Sequence, residues 1–243
     1  MRLPRELYAI LLAFCAVGQL DVVSANTEIV NFDASPSAGA LFPQTSNWPV
    51  LNPSNPQILL QVLPAPVDTS ITSVCEPSNP GICHHETWLS LDLDQEPWLS
   101  YSKFTCRISW PASHPAEFFI DLYTPSSLAS VLSGSDRVYS THPAGDNTLT
   151  RRKYARIRLI SQAVFTPSPA TRNRTVEPVP FMVIVEPLYL GVIPASLVPT
   201  LATLLALVAV TAFFVLPRIH AYLSAVADQV RSETASAEER RKQ

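Results

Sequence analysis

The feature that most constrains this chain is a run of twenty residues, Leu197–Leu216, that contains no charged side chain. An α-helix rises about 1.5 Å per residue, so a helix of this length spans roughly 30 Å, the thickness of the hydrocarbon core of a bilayer. Pro199 falls in its first turn, where a missing N–H costs little, and Pro217 and Arg218 close its far end. The sequence predicts one transmembrane helix at about 197–216, within a membrane segment 190–217.

The N-terminus has the three-part pattern of a secretory signal peptide. Arg2 and Arg5 precede a short apolar stretch, Leu7–Val17, which is too short to span a bilayer. Small and β-branched residues follow and predict cleavage after Ala25, so that residues 1–25 form the signal.

Signal and helix together predict a type I membrane protein. Residues 26–189 form the lumenal domain and residues 218–243 the cytosolic tail, with Arg218 on the side that the positive-inside rule favours. Charged residues are only 15% of the chain and the formal net charge is −3. A nucleic-acid-binding domain is strongly basic, so nucleic acid is excluded as an expected partner.

The lumenal domain shows the period-2 alternation of half-buried strands. The clearest stretches are Phe104–Trp110, Phe118–Leu122 and Tyr154–Phe165, and turn residues separate them. About seven or eight antiparallel strands with one wet face fit this pattern. The predicted fold is therefore mainly β, a lumenal antiparallel β-sandwich followed by one transmembrane helix.

Two charged clusters stand out in this domain, and the simplest interpretation of both is that they are exposed to solvent. The basic cluster, residues 151–158, is predicted to be a strand edge in solvent, with phosphate head groups as the alternative ligand. Asp92 and Asp94 are predicted to share the solvated face of a strand.

Three cysteines follow the predicted signal peptide, and all lie in the predicted lumenal domain, on the oxidising side of the membrane. They are Cys75, Cys83 and Cys106, and an odd number implies one disulfide and one free thiol. Pairing of Cys83 with either of the other two is compatible with the sequence. One sequon, at Asn173, lies in a polar loop and predicts a surface glycan.

The sequence contains no catalytic motif. G-x-S-x-G, H-E-x-x-H and a glycine-rich phosphate loop are all absent, and the chain has only six glycines. The segment Cys83–Glu86 holds two histidines between possible metal ligands, but adjacent residues rarely point at one ion. We therefore predict neither enzymatic activity, nor a cofactor, nor a metal.

Several segments, taken in order, resemble one protein family. These segments are Asn26–Glu28, Ser109–Ser113 with Pro115, Arg156–Phe165, Pro180–Leu188 and Gly191–Ser196. The chain resembles the small fungal non-catalytic subunit of GPI mannosyltransferase II, over the signal, the lumenal domain and the helix. That subunit partners the multi-spanning enzyme that adds the second mannose to GPI precursors in the endoplasmic reticulum lumen.

The resemblance implies a non-catalytic subunit in the membrane of the endoplasmic reticulum, which stabilises or positions that catalytic subunit. We expect the partner to contact the segment that leads into the membrane, and the candidate residues are Phe181, Glu186, Pro187 and Pro194.

Two other functions are compatible with the same layout. One is the accessory subunit of GPI mannosyltransferase I. The other is a single-pass receptor whose β-sandwich ectodomain binds a ligand.

Overall fold

The computed structural model describes residues 25–39, 42–76, 80, 82–132, 149–163 and 176–241. These residues form two compact units, one that ends at Pro187 and one that begins at Leu188. The predicted signal peptide, apart from Ala25, and the predicted glycan site at Asn173 lie outside the described residues.

The described strands, in chain order, are β1 (Ala25–Asp33), β2 (Ser37–Ala38), β3 (Val50–Leu51), β4 (Gln57–Val62), β5 (Glu86–Leu91), β6 (Lys103–Pro111), β7 (Ala116–Tyr123), β8 (Leu149–Thr150), β9 (Lys153–Ser161), β10 (Val179–Tyr189) and β11 (Ile193–Pro194). Within the first unit, one sheet has the order β1-β6-β10-β4 and is antiparallel throughout. A second sheet has the order β3-β5-β9-β7, with only β3 and β5 parallel. β2 and β8 form a separate short ladder.

The two larger sheets share one apolar core, which confirms the predicted mainly β fold. Phe104, Ile108 and Val183 come from the first sheet, and Ile157 and Leu159 come from the second. Each is an alternate residue of its strand, as period-2 patterning requires. Fully burying one such side chain contributes about 1.5–3 kcal/mol, so this core is the main source of stability.

A further layer covers the outer face of the β5-β9-β7 sheet. The helix α1 (Pro125–Leu132) packs Leu128 and Leu132 with Trp88 and Tyr154, and Phe42 joins this aromatic cluster. A second small cluster joins the loop after β4 to the same sheet, and its buried members are Ala65, Val74 and Ile160. The outward positions of β5 and β9 are therefore mostly covered, whereas Glu117 on the edge strand β7 is exposed.

The second unit begins with a hairpin and continues as one long helix. Leu188 and Tyr189 pair with Pro194 and Ile193, and a 3-10 turn, Ala195–Leu197, follows. The helix consists of α2 (Val198–Val210), a π-helical segment (Thr211–Val215) and α3 (Leu216–Arg241). Within the described residues it provides one candidate membrane span, in Ala195–Ser236, where a stretch of 18 residues has a mean hydropathy of 2.3.

The helix passes through Pro217, where the predicted apolar span closes, and continues to Arg241. Proline lacks an N–H donor and its ring clashes with the carbonyl four residues before it. The π-helical turn at Thr211–Val215 lies immediately before this proline. A widened turn of this kind relieves the clash and allows the helix to continue.

Candidate functional site

The basic cluster at residues 151–158 is the first candidate, and its central arginine is buried. Arg156 Nε donates to Glu86 Oε2 at 2.7 Å, and Trp88 Nε1 donates to Glu86 Oε1 at 2.9 Å. The Arg156 and Glu86 side chains are only 4% and 0% exposed. The Arg156 guanidinium carbon also lies 5.5 Å from the centre of the Trp88 ring, within cation–π range. Both carboxylate oxygens of Glu86 are thus occupied.

Two arginines fasten the cysteine loop to the sheet. Arg156 Nη2 donates to the Cys75 carbonyl oxygen at 2.7 Å. Arg158 donates to the Ile71 carbonyl at 2.5 Å and to the Asp121 carboxylate at 2.6 Å. The guanidinium groups therefore bind backbone carbonyls of the segment that carries the disulfide.

The structure pairs Cys75 with Cys83, with Cα atoms 5.6 Å apart. The alternative pairing of Cys83 with Cys106 is therefore wrong. Cys106 lies on β6, faces the core and is a buried free thiol. Burial in this apolar setting raises the pKa of the Cys106 thiol to about 12.

The remaining cations of the cluster also bind within the protein. Arg151 Nε donates to the Ala34 carbonyl at 2.9 Å, and its Nη2 donates to the Tyr101 carbonyl. Lys153 Nζ donates to the Ser35 carbonyl at 2.9 Å. Burial lowers the pKa of Lys153, and the neighbouring Arg151 charge adds to that effect. The predicted solvated strand edge is therefore wrong for these residues. Their cationic groups already have partners in the protein and are not available to bind phosphate.

The acidic residues are also placed differently from the prediction. β5 ends at Leu91, so Asp92 and Asp94 lie beyond the strand and not on its face. Arg152 Nη2 lies 3.5 Å from Asp92 Oδ2, and Thr150 Oγ1 donates to Asp94 Oδ2 at 2.5 Å. These carboxylates connect the end of β5 to the start of β9.

The possible metal ligands of Cys83–Glu86 are separated by the structure. Cys83 is in the disulfide, and His85 Nδ1 lies 2.9 Å from the Leu63 carbonyl oxygen. Across the part of the chain that the structure describes, no three His, Cys, Asp or Glu side chains are grouped to hold a metal.

Three of the four candidate partner contacts are buried. Phe181 is 1% exposed, because it is an inward residue of β10 in the sandwich core. Glu186 and Pro187 are also buried, and Glu186 Oε1 lies 3.8 Å from Arg107 Nη2. Pro194 is half-buried in the hairpin. The expectation that Phe181 contacts a partner is therefore wrong, and substituting Glu186 or Pro187 would disturb packing first.

The outward face of the first sheet exposes apolar side chains on both of its edge strands. Leu59 on β4 is 64% exposed and Ile29 on β1 is 54% exposed. Between these two edge strands, Met182 and Ile184 of β10 are half-buried on the same face. We call these four residues the outer-face patch.

The strand register connects the outer-face patch across the sheet. In one row, Met182 lies directly opposite Leu59. In the next row, Arg107 lies between Ile184 on one neighbouring strand and Ile29 on the other. Directly opposite residues have Cβ atoms about 4.5–5.5 Å apart, so each row is a continuous surface. Sequence reasoning missed this patch, although alternation within β10 marks Met182 and Ile184 as outward.

No family model, curated protein or solved structure matches this chain.

The buried Glu86–Arg156 pair makes a stability prediction. Glu86→Gln removes the charge that compensates Arg156, and breaking a buried pair in this way costs about 3–5 kcal/mol. Lys103→Ala breaks an exposed pair with Asp33, whose atoms are 4.0 Å apart, and should cost less than about 1 kcal/mol. Urea unfolding of the full chain in mild detergent measures both. Equal losses in the two variants would contradict the structural role of the buried pair.

The buried thiol makes a pH prediction. The folded state keeps the Cys106 proton up to about pH 12, whereas the unfolded chain loses it near the ordinary value of 9.0. The free energy of unfolding should therefore fall as pH rises above about 9, because the unfolded state binds fewer protons there. Denaturant unfolding across this pH range should show a smaller decline in Cys106→Ala. An identical decline in both proteins would show that Cys106 is not the cause.

Proposed function

We propose that this protein is a non-catalytic, single-pass membrane subunit of the endoplasmic reticulum. It would stabilise or position the multi-spanning mannosyltransferase that adds the second mannose to GPI precursors. The β-sandwich would lie in the lumen and the chain from Arg218 in the cytosol. The resemblance in sequence names the enzyme, and the outer-face patch supports a binding role.

The outer-face patch carries this proposal. The charges on this face of β4, β10 and β6 are paired: Arg107 lies 3.8 Å from Glu186, and Lys103, near the start of β6, lies 4.0 Å from Asp33 of β1. Exposed apolar area with little charge is typical of a surface that another protein covers. Glu86 and the basic cluster are the other polar groups that could bind a ligand, and they form hydrogen bonds within the protein instead.

The direct test is affinity purification of the tagged full chain from its own cells in mild detergent, with partners identified by mass spectrometry. We expect a multi-spanning GPI mannosyltransferase in near-equal amount. Recovery of the enzyme for the first mannose would replace the proposed step. Recovery with plasma-membrane proteins, or of the chain alone, would overturn the proposal and favour a receptor.

The outer-face patch makes a prediction about that purification. Leu59→Lys places a charge on the patch at an exposed position, so the fold should survive while partner recovery falls at least about tenfold, as expected for a loss above 1.4 kcal/mol. Val67→Lys is the matched control, because Val67 is also exposed, at 43%, but lies outside the patch.

Quantitative mass spectrometry of both variants at equal expression checks this prediction. Equal recovery of the partner with Leu59→Lys and with Val67→Lys would exclude the patch as the contact surface.

A further inference from the structure

The uncharged part of the C-terminal unit is longer than a membrane span needs. No charged residue lies between Glu186 and Arg218. The helical residues from Val198 to Pro217 already cover about 30 Å at 1.5 Å per residue, which is the whole hydrocarbon core. The uncharged residues before Val198 therefore need another explanation, and they fold as the hairpin and 3-10 turn.

The tip of this hairpin exposes apolar side chains. Leu190 is 94% exposed and Val192 is 74% exposed, and the adjacent Tyr189 is 41% exposed. The Val192 N–H donates to the Tyr189 carbonyl at 3.1 Å and closes a turn with Leu190 and Gly191 at its centre. If this tip lay in water, its apolar side chains would gain no free energy from burial, because they do not enter a hydrophobic core.

The backbone of the turn makes leucine an unexpected choice at Leu190. Leu190 and Gly191 both have positive φ, at 54° and 75°. A turn of this kind favours Asn-Gly or Asp-Gly, because a residue with a bulky side chain is disfavoured at positive φ. Asparagine would suit the backbone better, so turn geometry does not explain the leucine. Contact of the Leu190 side chain with an apolar environment would explain why leucine occupies this position.

We propose that this hairpin tip inserts into the lipid interface of the leaflet where the helix begins, with Leu190 and Val192 among the upper acyl chains. Leu190 lies only eight residues before Val198, so the chain keeps the tip near the membrane surface. Tyr189 has the amphipathic ring that is enriched at this depth. The inference rests on the membrane span and not on the identity of the protein partner.

The test places a fluorescent nitrobenzoxadiazole group on single introduced cysteines of the full chain, in a Cys15→Ser background. Cys106 is buried and Cys75 and Cys83 are paired, so labelling under native conditions is selective. The labelled chain is reconstituted into phosphatidylcholine vesicles. Nitroxide-bearing lipids, with the nitroxide near the head group or deep in the acyl chain, report the depth of the label.

At Leu190→Cys we expect a blue-shifted emission and stronger quenching by the shallow nitroxide than by the deep one. Ala206→Cys, in the middle of the span, should be quenched more strongly by the deep nitroxide. Ser232→Cys lies about 24 Å along the helix beyond Leu216 and should behave as a label in water. Failure at Ala206 would overturn the span itself, and with it this inference.

A second variant separates insertion from folding of the turn. Leu190→Asn keeps and even favours the turn while removing its apolar side chain. With the label at Val192→Cys, we expect Leu190→Asn to abolish the blue shift and most of the shallow quenching. Leu190→Met is the matched apolar control and should preserve both.

Two results would overturn the inference. One is a water-like, unquenched signal from Leu190→Cys in vesicles. If the same label were shielded in native membranes but not in vesicles, a protein and not lipid would cover the tip, and the inference would also be wrong. The other is unchanged quenching at Val192→Cys when Leu190→Asn is present.

Discussion

The buried ion pair of Glu86 and Arg156 is the interaction on which the outer layer of the sandwich depends. It lies between the two small clusters that cover the β5-β9-β7 sheet, because Trp88 belongs to one cluster and Arg156 binds the Cys75 carbonyl beside the other. Taking both charges out of water costs several kcal/mol. The bonds from Trp88 and to Cys75 offset this cost, and they fix where the disulfide loop lies on the sheet.

The strands could be predicted from the sequence because alternation is a local signal. Phe104, Ile108 and Ile157 are inward in the structure as the pattern indicates. The burial of Arg156 could not be predicted in the same way, since its partner Glu86 is 70 residues away. One signal was present: Trp88 and Tyr154 are large aromatic residues at outward positions, which indicates that another layer covers this face.

Two features near the membrane end differ in how far the sequence could predict them. The position of Phe181 was open to prediction, because Phe181, Val183 and Val185 alternate and must share the inward face. The continuation of the helix beyond Pro217 was harder to predict, because proline normally ends a helical pattern, although Ile219 and Leu223 keep helical spacing. Only the structure shows the π-helical turn at Thr211–Val215 that relieves the clash.

The basic residues of the 151–158 cluster bind mostly within their own domain, and this limits how the chain can recognise a partner. Arg151, Lys153 and Arg156 all donate to groups of the same domain, so this cluster leaves little basic charge to steer an acidic partner over long distances. Recognition would then depend on short-range apolar contact through the outer-face patch. A membrane anchor compensates for slow or weak encounter, because confining both partners to one membrane raises their effective concentration. A modest patch around Leu59 would then be sufficient for a protein anchored in the same membrane as its partner, where a freely diffusing protein would need a larger or more charged interface.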